Sequence, residues 1–408
     1  MKAIEHRVIA LFPELISWRR HLHQFPELSF NEYRTTDYIE STLQQFENIV
    51  IKRLPKTGLV GYLHGNKPGK SSVIAIRADI DALPLQERSK LPFSSKIPGV
   101  MHACGHDGHT AILLGLSKLL SSATESFCGE VRLIFQHAEE LPPGGAIDFV
   151  RAGLLNDVDV VLGLHLSTNW DTGKFGIKSG VLTAAVDRFD INLIGKGGHC
   201  AFPEQCNDPV ISMAELILGL QTIVSRSLSP FDPAVVSICE AHTGTAYNII
   251  PEKATITASV RSFSHETRKL IEKKVRQIAE GIAQANDISM ELLYEHGYPS
   301  VENHPELTVL AKNVIESRFG INAIELIDSI MPGEDFGYFL DGRPGFFVEL
   351  GSRNVTKSCN RPHHNSAYML DEDALLYGVQ YMLDMLRNLM NGDRIIFDKC
   401  AMHKNKTS

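Results

Sequence analysis

The run Met101-His102-Ala103-Cys104-Gly105-His106-Asp107-Gly108-His109 places a thiol and several imidazoles within a few residues of one another. Sulfur and imidazole nitrogen are the donors that Zn²⁺ prefers, and Cys104 and His106 can converge on one cation if the backbone between them is loop-like. Gly105 and Gly108 supply that freedom. A second segment, Phe135-Gln136-His137-Ala138-Glu139-Glu140, ends an apolar run with adjacent carboxylates. In an extended segment successive side chains point to opposite sides, so one carboxylate would ligate a cation while its neighbour addresses water. His165 closes the run Gly163-Leu164-His165, and Pro362-His363-His364-Asn365 follows much later. A lone histidine says little, and a Glu pair is commonly a solvated turn. The set as a whole carries the donor types of a transition-metal site. Its natural chemistry is hydrolysis, in which a cation activates water and polarises a carbonyl while a carboxylate moves the proton.

The elements that must position these residues follow from periodicity. Ile4 to His23 carries apolar residues at helical spacing, and Asn31 to Phe46 predicts a second helix. Short β-branched runs at Leu59 to Leu63, Val73 to Ile76, Val131 to Phe135 and Val158 to Leu164 predict strands, interleaved with helices from His109 to Leu120 and over 143–152. This alternation predicts an α/β catalytic domain whose central sheet is flanked by helices, with its chemistry in loops leaving the strand ends. From about Ala184 the order becomes strand, helix, two strands, helix, strand: Phe189 to Ile194, Val210 to Ser227, Val235 to Ala241, Ala254 to Val260, Glu266 to Ala285 and Ile288 to Leu293. That βαββαβ order is the signature of an inserted α+β ferredoxin-like unit. The expected division is 1–183 with 296–408 for the catalytic domain and 184–295 for the insertion. A helix over 305–318, a strand from Gly345 to Leu350 and a last helix near Asp371 to Met390 complete the first domain.

Composition excludes other classes. The 408 residues are 43% apolar and 22% charged with a formal charge of −8, and no basic stripe marks a nucleic-acid partner. Charged residues interleave the first twenty positions, against a secretory signal. The apolar stretch Pro209 to Val224 contains Glu215 and Gln221, which argues against a bilayer span and for a soluble, cytoplasmic protein with no membrane partner. The seven cysteines, Cys104, Cys128, Cys200, Cys206, Cys239, Cys359 and Cys400, lack the even, dense spacing of a disulfide scaffold and read as thiols. Only Cys104 has chemical neighbours.

The chain resembles the metal-dependent aminoacylase and amidohydrolase family of peptidases, in the branch of hippurate hydrolases, indole-acetyl-amino-acid hydrolases and N-acetyl-diaminopimelate deacetylases. The resemblance rests on Arg77-Ala-Asp-Ile-Asp-Ala-Leu-Pro84, His102-Ala-Cys-Gly-His-Asp-Gly-His109, Ala138-Glu-Glu140, Gly195-Lys-Gly-Gly-His199, Asn248-Ile-Ile-Pro251 and Glu334-Asp-Phe336. It implies that Cys104, His106, Glu140, His165 and His364 bind two divalent cations, with Glu139 as general acid and base. Zn²⁺ is the first expectation, and Mn²⁺, Co²⁺ or Ni²⁺ suit the same mixed donors. His363 competes with His364, which is preferred because family members place an aromatic residue four positions after the ligand, here Tyr368. The resemblance further implies that His199 stabilises the oxyanion from a partner subunit, and that the inserted domain is a lid that forms a homodimer. Asn248 and Arg261 would hold the carboxylate of the leaving amino acid, a task suited to a guanidinium fork. The substrate expected is an N-acyl amino acid or short peptide. After His199 the chain reads Cys200-Ala-Phe-Pro203-Glu204, where many relatives carry Ala or Ser and then Pro-His. The broader peptidase group has a metal-binding His where Arg77 stands, so Asp79 is expected either to support the site or to pair with Arg77.

Three rival readings are distinguishable. A dipeptidase or carboxypeptidase of the same fold would cleave the same bond in a substrate with a free amine. A binding protein without turnover would be expected to have lost Glu139. A cysteine hydrolase using Cys104 with His106 or His137 would survive chelation and fail on alkylation.

Overall fold

The structure is a computed structural model that describes residues 4–69 and 71–390; Cys400 lies outside them. Contacts divide the chain into two units, residues 1–182 with 302–328 and 335–408, and residues 183–301 with 329–334. The second unit thus reaches Val301 and takes back the short segment Ser329–Glu334, which the sequence reading had left with the first.

The first unit is built on an eight-stranded mixed sheet, in the order Ile49–Arg53, Leu59–Asn66, Cys128–Gln136, Ser72–Asp79, Val160–Asp171, Gly345–Arg353, Phe175–Ile177 and Ile324–Leu326. Its middle strands pair in parallel and are buried almost without interruption, as a sheet covered on both faces requires. Val, Ile, Leu and Phe dominate them because no face is left for polar residues. One long helix, His106–Ser121, is buried along nearly its whole length and packs between the helices Phe12–Gln24 and Ala374–Met390.

Two expectations are revised here. The first helix is two, His6–Ala10 and Phe12–Gln24, because Pro13 has no N–H to give the carbonyl one turn earlier. The helix expected from His109 starts at His106, capped by Gly105 at φ 97°, a left-handed conformation that an L side chain rarely adopts. His106 and His109 consequently lie one turn apart on the same helical face.

The parallel register brings the chemistry to one edge. Asp79 lies opposite Gln136, and Arg77 opposite Gly163, so the residues that follow Gln136 and Gly163 emerge beside Asp79. His165 is within its strand, which continues to Asp171, rather than at its end.

The second unit has strands Ala185–Ile194, Ala234–Thr243, Lys253–Ser262 and Ser289–His296, paired antiparallel with Ala234–Thr243 and Ser289–His296 at the edges. With helices Pro209–Thr222 and His265–Ala285 this is the ferredoxin-like arrangement. Leu216, Leu220, Ile271, Val275 and Ala279 pack with Phe189, Ile191, Ile256 and Val260 into a separate core. The stretch Pro209–Ser227 is long and apolar enough to cross a membrane by length and composition, despite Glu215 and Gln221. Leu216, Leu220 and Ile223 are buried in the unit's core, whereas Ile211, Leu218 and Val224 face outward.

Candidate metal centre and active site

In the first unit Cys104, His106 and His165 offer ligand atoms within 4.8 Å of one another, as do Cys104, Glu140 and His364, and His106, Glu139 and Glu140. Six donors from four separate segments therefore share one locus, with Cys104, His106 and Glu140 each common to two of the groups. Cys104 Sγ is 3.4 Å from His165 Nε2, and His364 Nε2 is 3.3 Å from Glu140 Oε1. His106 Nε2, which is buried without a hydrogen-bond partner, lies 3.8 Å from Glu140 Oε1 and 4.0 Å from Glu139 Oε2. The two carboxylates converge instead of pointing to opposite sides, because the strand ends at Gln136 and Ala138 turns the chain at φ 51°. A left-handed alanine costs about 1–2 kcal/mol, so the surroundings must impose it.

Backbone and carboxylate partners orient the imidazoles. His165 Nδ1 donates to the Leu166 carbonyl at 2.9 Å, which leaves the Nε2 lone pair facing Cys104. His363 Nε2 donates to the same carbonyl at 2.9 Å and is thereby committed to the backbone, while His364 sits beside Glu140. His109 Nε2 accepts the Leu166 N–H at 2.8 Å, so its proton is on Nδ1, which donates to Asp79 Oδ1 at 2.6 Å. His106 Nδ1 meets Asp81 Oδ1 at 3.1 Å and the Asp81 carbonyl at 3.0 Å.

Asp79 does both things the sequence left open. It takes the Arg77 guanidinium at 2.9 Å and braces His109. Arg77 also reaches Asp335 at 3.0 Å and Gln136 at 2.7 Å, all of them buried. Asp81 was not singled out from the sequence, yet its Oδ2 accepts from Ser29 Oγ at 2.7 Å and from the Glu140 N–H at 3.0 Å. The only sequence signal was a second acid two residues after Asp79.

Electrostatics match a cation site. Burial, then Glu140, Glu139 and Asp79, push the Cys104 thiol well above its usual range. A nucleophilic cysteine needs the opposite shift, which disfavours the cysteine-hydrolase reading. Burial together with His109 and His363 holds His165 well below the ordinary imidazole range, hence as a neutral donor. Burial opposes charging of His106, but Asp79 and Asp81 prevail and raise it to about 10. Acids gathered around a thiol, the neutral His165 and a His106 Nε2 that is buried without a hydrogen bond 3.5 Å from Asp79 Oδ2 form a locus where positive charge is favoured, which fits a divalent ion.

The remaining sequence candidates belong to the second unit. His199 pairs with Ile249 in a two-residue antiparallel bridge, is exposed, and accepts the Ala201 N–H on Nδ1 at 3.1 Å, so Nε2 carries the proton. The Asn248 carbonyl accepts the Cys200 N–H at 3.3 Å next to it. Arg261 lies on the strand Lys253–Ser262, half-buried, with Nη1 donating to Ser259 Oγ at 2.7 Å and to the Val260 carbonyl at 2.9 Å.

Comparison with known proteins matches residues 75–388 to the family described as peptidase family M20/M25/M40. The chain belongs to this family. Within the M20 group it falls in the aminoacylase and amidohydrolase branch, and it is a hydrolase acting on amide bonds. It is 46% identical over 293 residues to the N-acyl-L-amino acid amidohydrolase of Geobacillus stearothermophilus, covering 72% of this chain and 79% of that one. It is 41% identical over 378 residues to the N-acetylcysteine deacetylase of Bacillus subtilis, covering 92% and 97%. Among solved structures, a Bacillus subtilis protein described as a dinuclear metal-binding peptidase of the M20 family superposes with a TM-score of 0.81 at 38% identity, covering 94% of this chain and 99% of that one.

Proposed function

We propose that this M20 chain hydrolyses the amide bond of N-acyl-L-amino acids, with Glu139 as general acid and base beside ions held by Cys104, His106, Glu140, His165 and His364. The observation that carries the reading is the meeting of those donors with a further acid, His106 Nε2 being 3.8 Å from Glu140 and 4.0 Å from Glu139. Bound divalent ions would lower the pKa of water to about 7 and polarise the acyl carbonyl. Glu139 then takes the proton from the attacking water and returns it to the departing amine nitrogen. Asp81 and the Leu166 carbonyl hold the His106 and His165 rings by their Nδ1 atoms, which turns each Nε2 toward the place the ions would take.

In this reading Zn²⁺ is the first candidate, since a thiol and three imidazoles dominate, and Mn²⁺, Co²⁺ and Ni²⁺ follow. In a homodimer the partner subunit's His199, whose Nδ1 accepts the Ala201 N–H, would donate from Nε2 to the developing oxyanion, and Asn248 and Arg261 would receive the amino-acid carboxylate. The outward Ile211, Leu218 and Val224 of the Pro209–Ser227 stretch form an apolar strip suited to a second copy of the chain, so a homodimer in solution is expected by light scattering. Free thiols among the described residues suit a reducing, cytoplasmic setting.

The test is turnover by metal-defined enzyme across N-acetyl, N-benzoyl and indole-acetyl amino acids and dipeptides. Metal-dependent release of free amino acid is expected from at least one N-acyl substrate. Tight binding of the panel without release, at full metal loading, would mark a binding protein instead.

A further inference from the structure

We infer that Glu32 is a positioning residue for this site, its carboxylate clamping the Ala138 peptide so that Glu139 and Glu140 are held toward His106. The inference rests on the hydrolytic reading above. Glu32 is fully buried, and its Oε1 accepts the Ala138 N–H at 2.8 Å and the Phe30 N–H at 3.0 Å. Both bonds go to peptide groups, so this buried acid is arranged to fix backbone.

The backbone it fixes needs fixing. Ala138 sits at φ 51°, where an L residue is disfavoured, directly before the two carboxylates. Its carbonyl accepts the Gly145 N–H at 2.9 Å, and a Cβ on Gly145 would come within 1.9 Å of the His137 carbonyl oxygen, so that closure depends on glycine. Two residues on, the Glu140 N–H is bound by Asp81. The peptides of residues 138–140 are thus tied by Glu32 at one end and Asp81 at the other, with Gly145 between.

The tie is anchored from outside the site. Glu32 directly precedes the helix Tyr33–Leu43, and its carbonyl accepts from Thr36 Oγ1 at 2.6 Å. Ser29, three residues earlier, bonds Asp81 at 2.7 Å, and Ala82 donates to the Glu27 carbonyl at 2.8 Å. One segment, 27–32, therefore frames both acids that hold the Glu139–Glu140 turn.

What the clamp needs from residue 32 is an acceptor at this reach, not a charge. Glu32→Gln keeps it, Glu32→Ala removes it, and Glu32→Asp pulls it back by one methylene. The three variants and the parent are compared for kcat, KM, Mn²⁺ affinity by calorimetric titration, and thermal unfolding. In Glu32→Ala, kcat is expected to fall about 100-fold with KM nearly unchanged, since Glu139 is displaced from its working geometry. Mn²⁺ affinity is expected to fall about tenfold as Glu140 shifts. Glu32→Gln should restore both. Wild-type kcat and Mn²⁺ affinity in a cooperatively folded Glu32→Ala would overturn the inference, as would equal losses in Glu32→Gln. Should Glu32→Ala not fold, Glu32→Asp decides: matching losses support the clamp, and full function refutes it. If the parent releases no amino acid from any substrate, the hydrolytic reading fails, while the Mn²⁺ affinities of Glu32→Ala and Glu32→Gln still test the clamp.

Discussion

His106 is held by Asp81 at its Nδ1 and offers Nε2 to the acids opposite, so a single carboxylate sets both the ring's tautomer and its aim. Asp81 also binds the Glu140 peptide, which couples two proposed ligands through one side chain. Replacing it with alanine is therefore expected to weaken metal binding by about 10- to 100-fold, measured by competition with a fluorescent chelator. Unchanged affinity would show that His106 needs no such partner. The proposed donors stood out in the sequence, because a thiol and clustered imidazoles are uncommon and fall beside apolar runs. Asp81 and Glu32 were not. Acids are abundant, and nothing in local spacing tells that one will be buried against a peptide N–H.

Between elements, Arg77 is the junction: it joins the ends of Ser72–Asp79 and Cys128–Gln136 to the short 3₁₀ helix Asp335–Leu340 through Asp79, Gln136 and Asp335. Arg77→Met would leave buried carboxylates without their cation, and a loss of about 3–5 kcal/mol is expected in denaturant unfolding. A loss below about 1 kcal/mol would mean that Asp79 and Asp335 simply protonate. The metal-site helix makes a second demand. A Cβ at Gly108 would approach Leu166 Cδ1 to 2.5 Å and Leu370 Cδ2 to 3.2 Å, so Gly108→Ala should cost about 1–3 kcal/mol by overpacking, read as a lowered Tm. A Tm at or above that of the parent would show that the leucines make room. Long strands and helices were readable because their apolar period persists over many residues. The edge strand Ile49–Arg53 was not, since it is largely exposed and carries no buried stripe. Phe175–Ile177 and Ile324–Leu326 are too short to show a period, and Ser329–Glu334, grouped with the second unit, pairs among the described residues only through the isolated bridge of Ile330 to Thr183.

At the scale of the whole first unit, Glu5 joins the chain's beginning to its last described helix. Its carboxylate binds Arg387 and Arg318, and its N–H donates to Gln380 at 2.8 Å. The Arg387 hydrogen bond, offset in part by burial, draws Glu5 down to about 2. A depressed acid stabilises the fold above its unfolded pKa of about 4.5 and loses that contribution as pH falls toward 2. Glu5→Gln should consequently lower stability at neutral pH and converge with the parent near pH 2, in urea titrations across that window. A gap that persists unchanged at pH 2 would refute the pairing. The central claim, that Glu139 moves the proton while Cys104 and its companions hold the ions, is tested most directly by metal content and turnover measured together in two variants. Glu139→Gln is expected to keep its metal and lose about 10²- to 10⁴-fold in kcat, whereas Cys104→Ala loses metal and activity alike. Near-parental turnover by fully metal-loaded Glu139→Gln would contradict it.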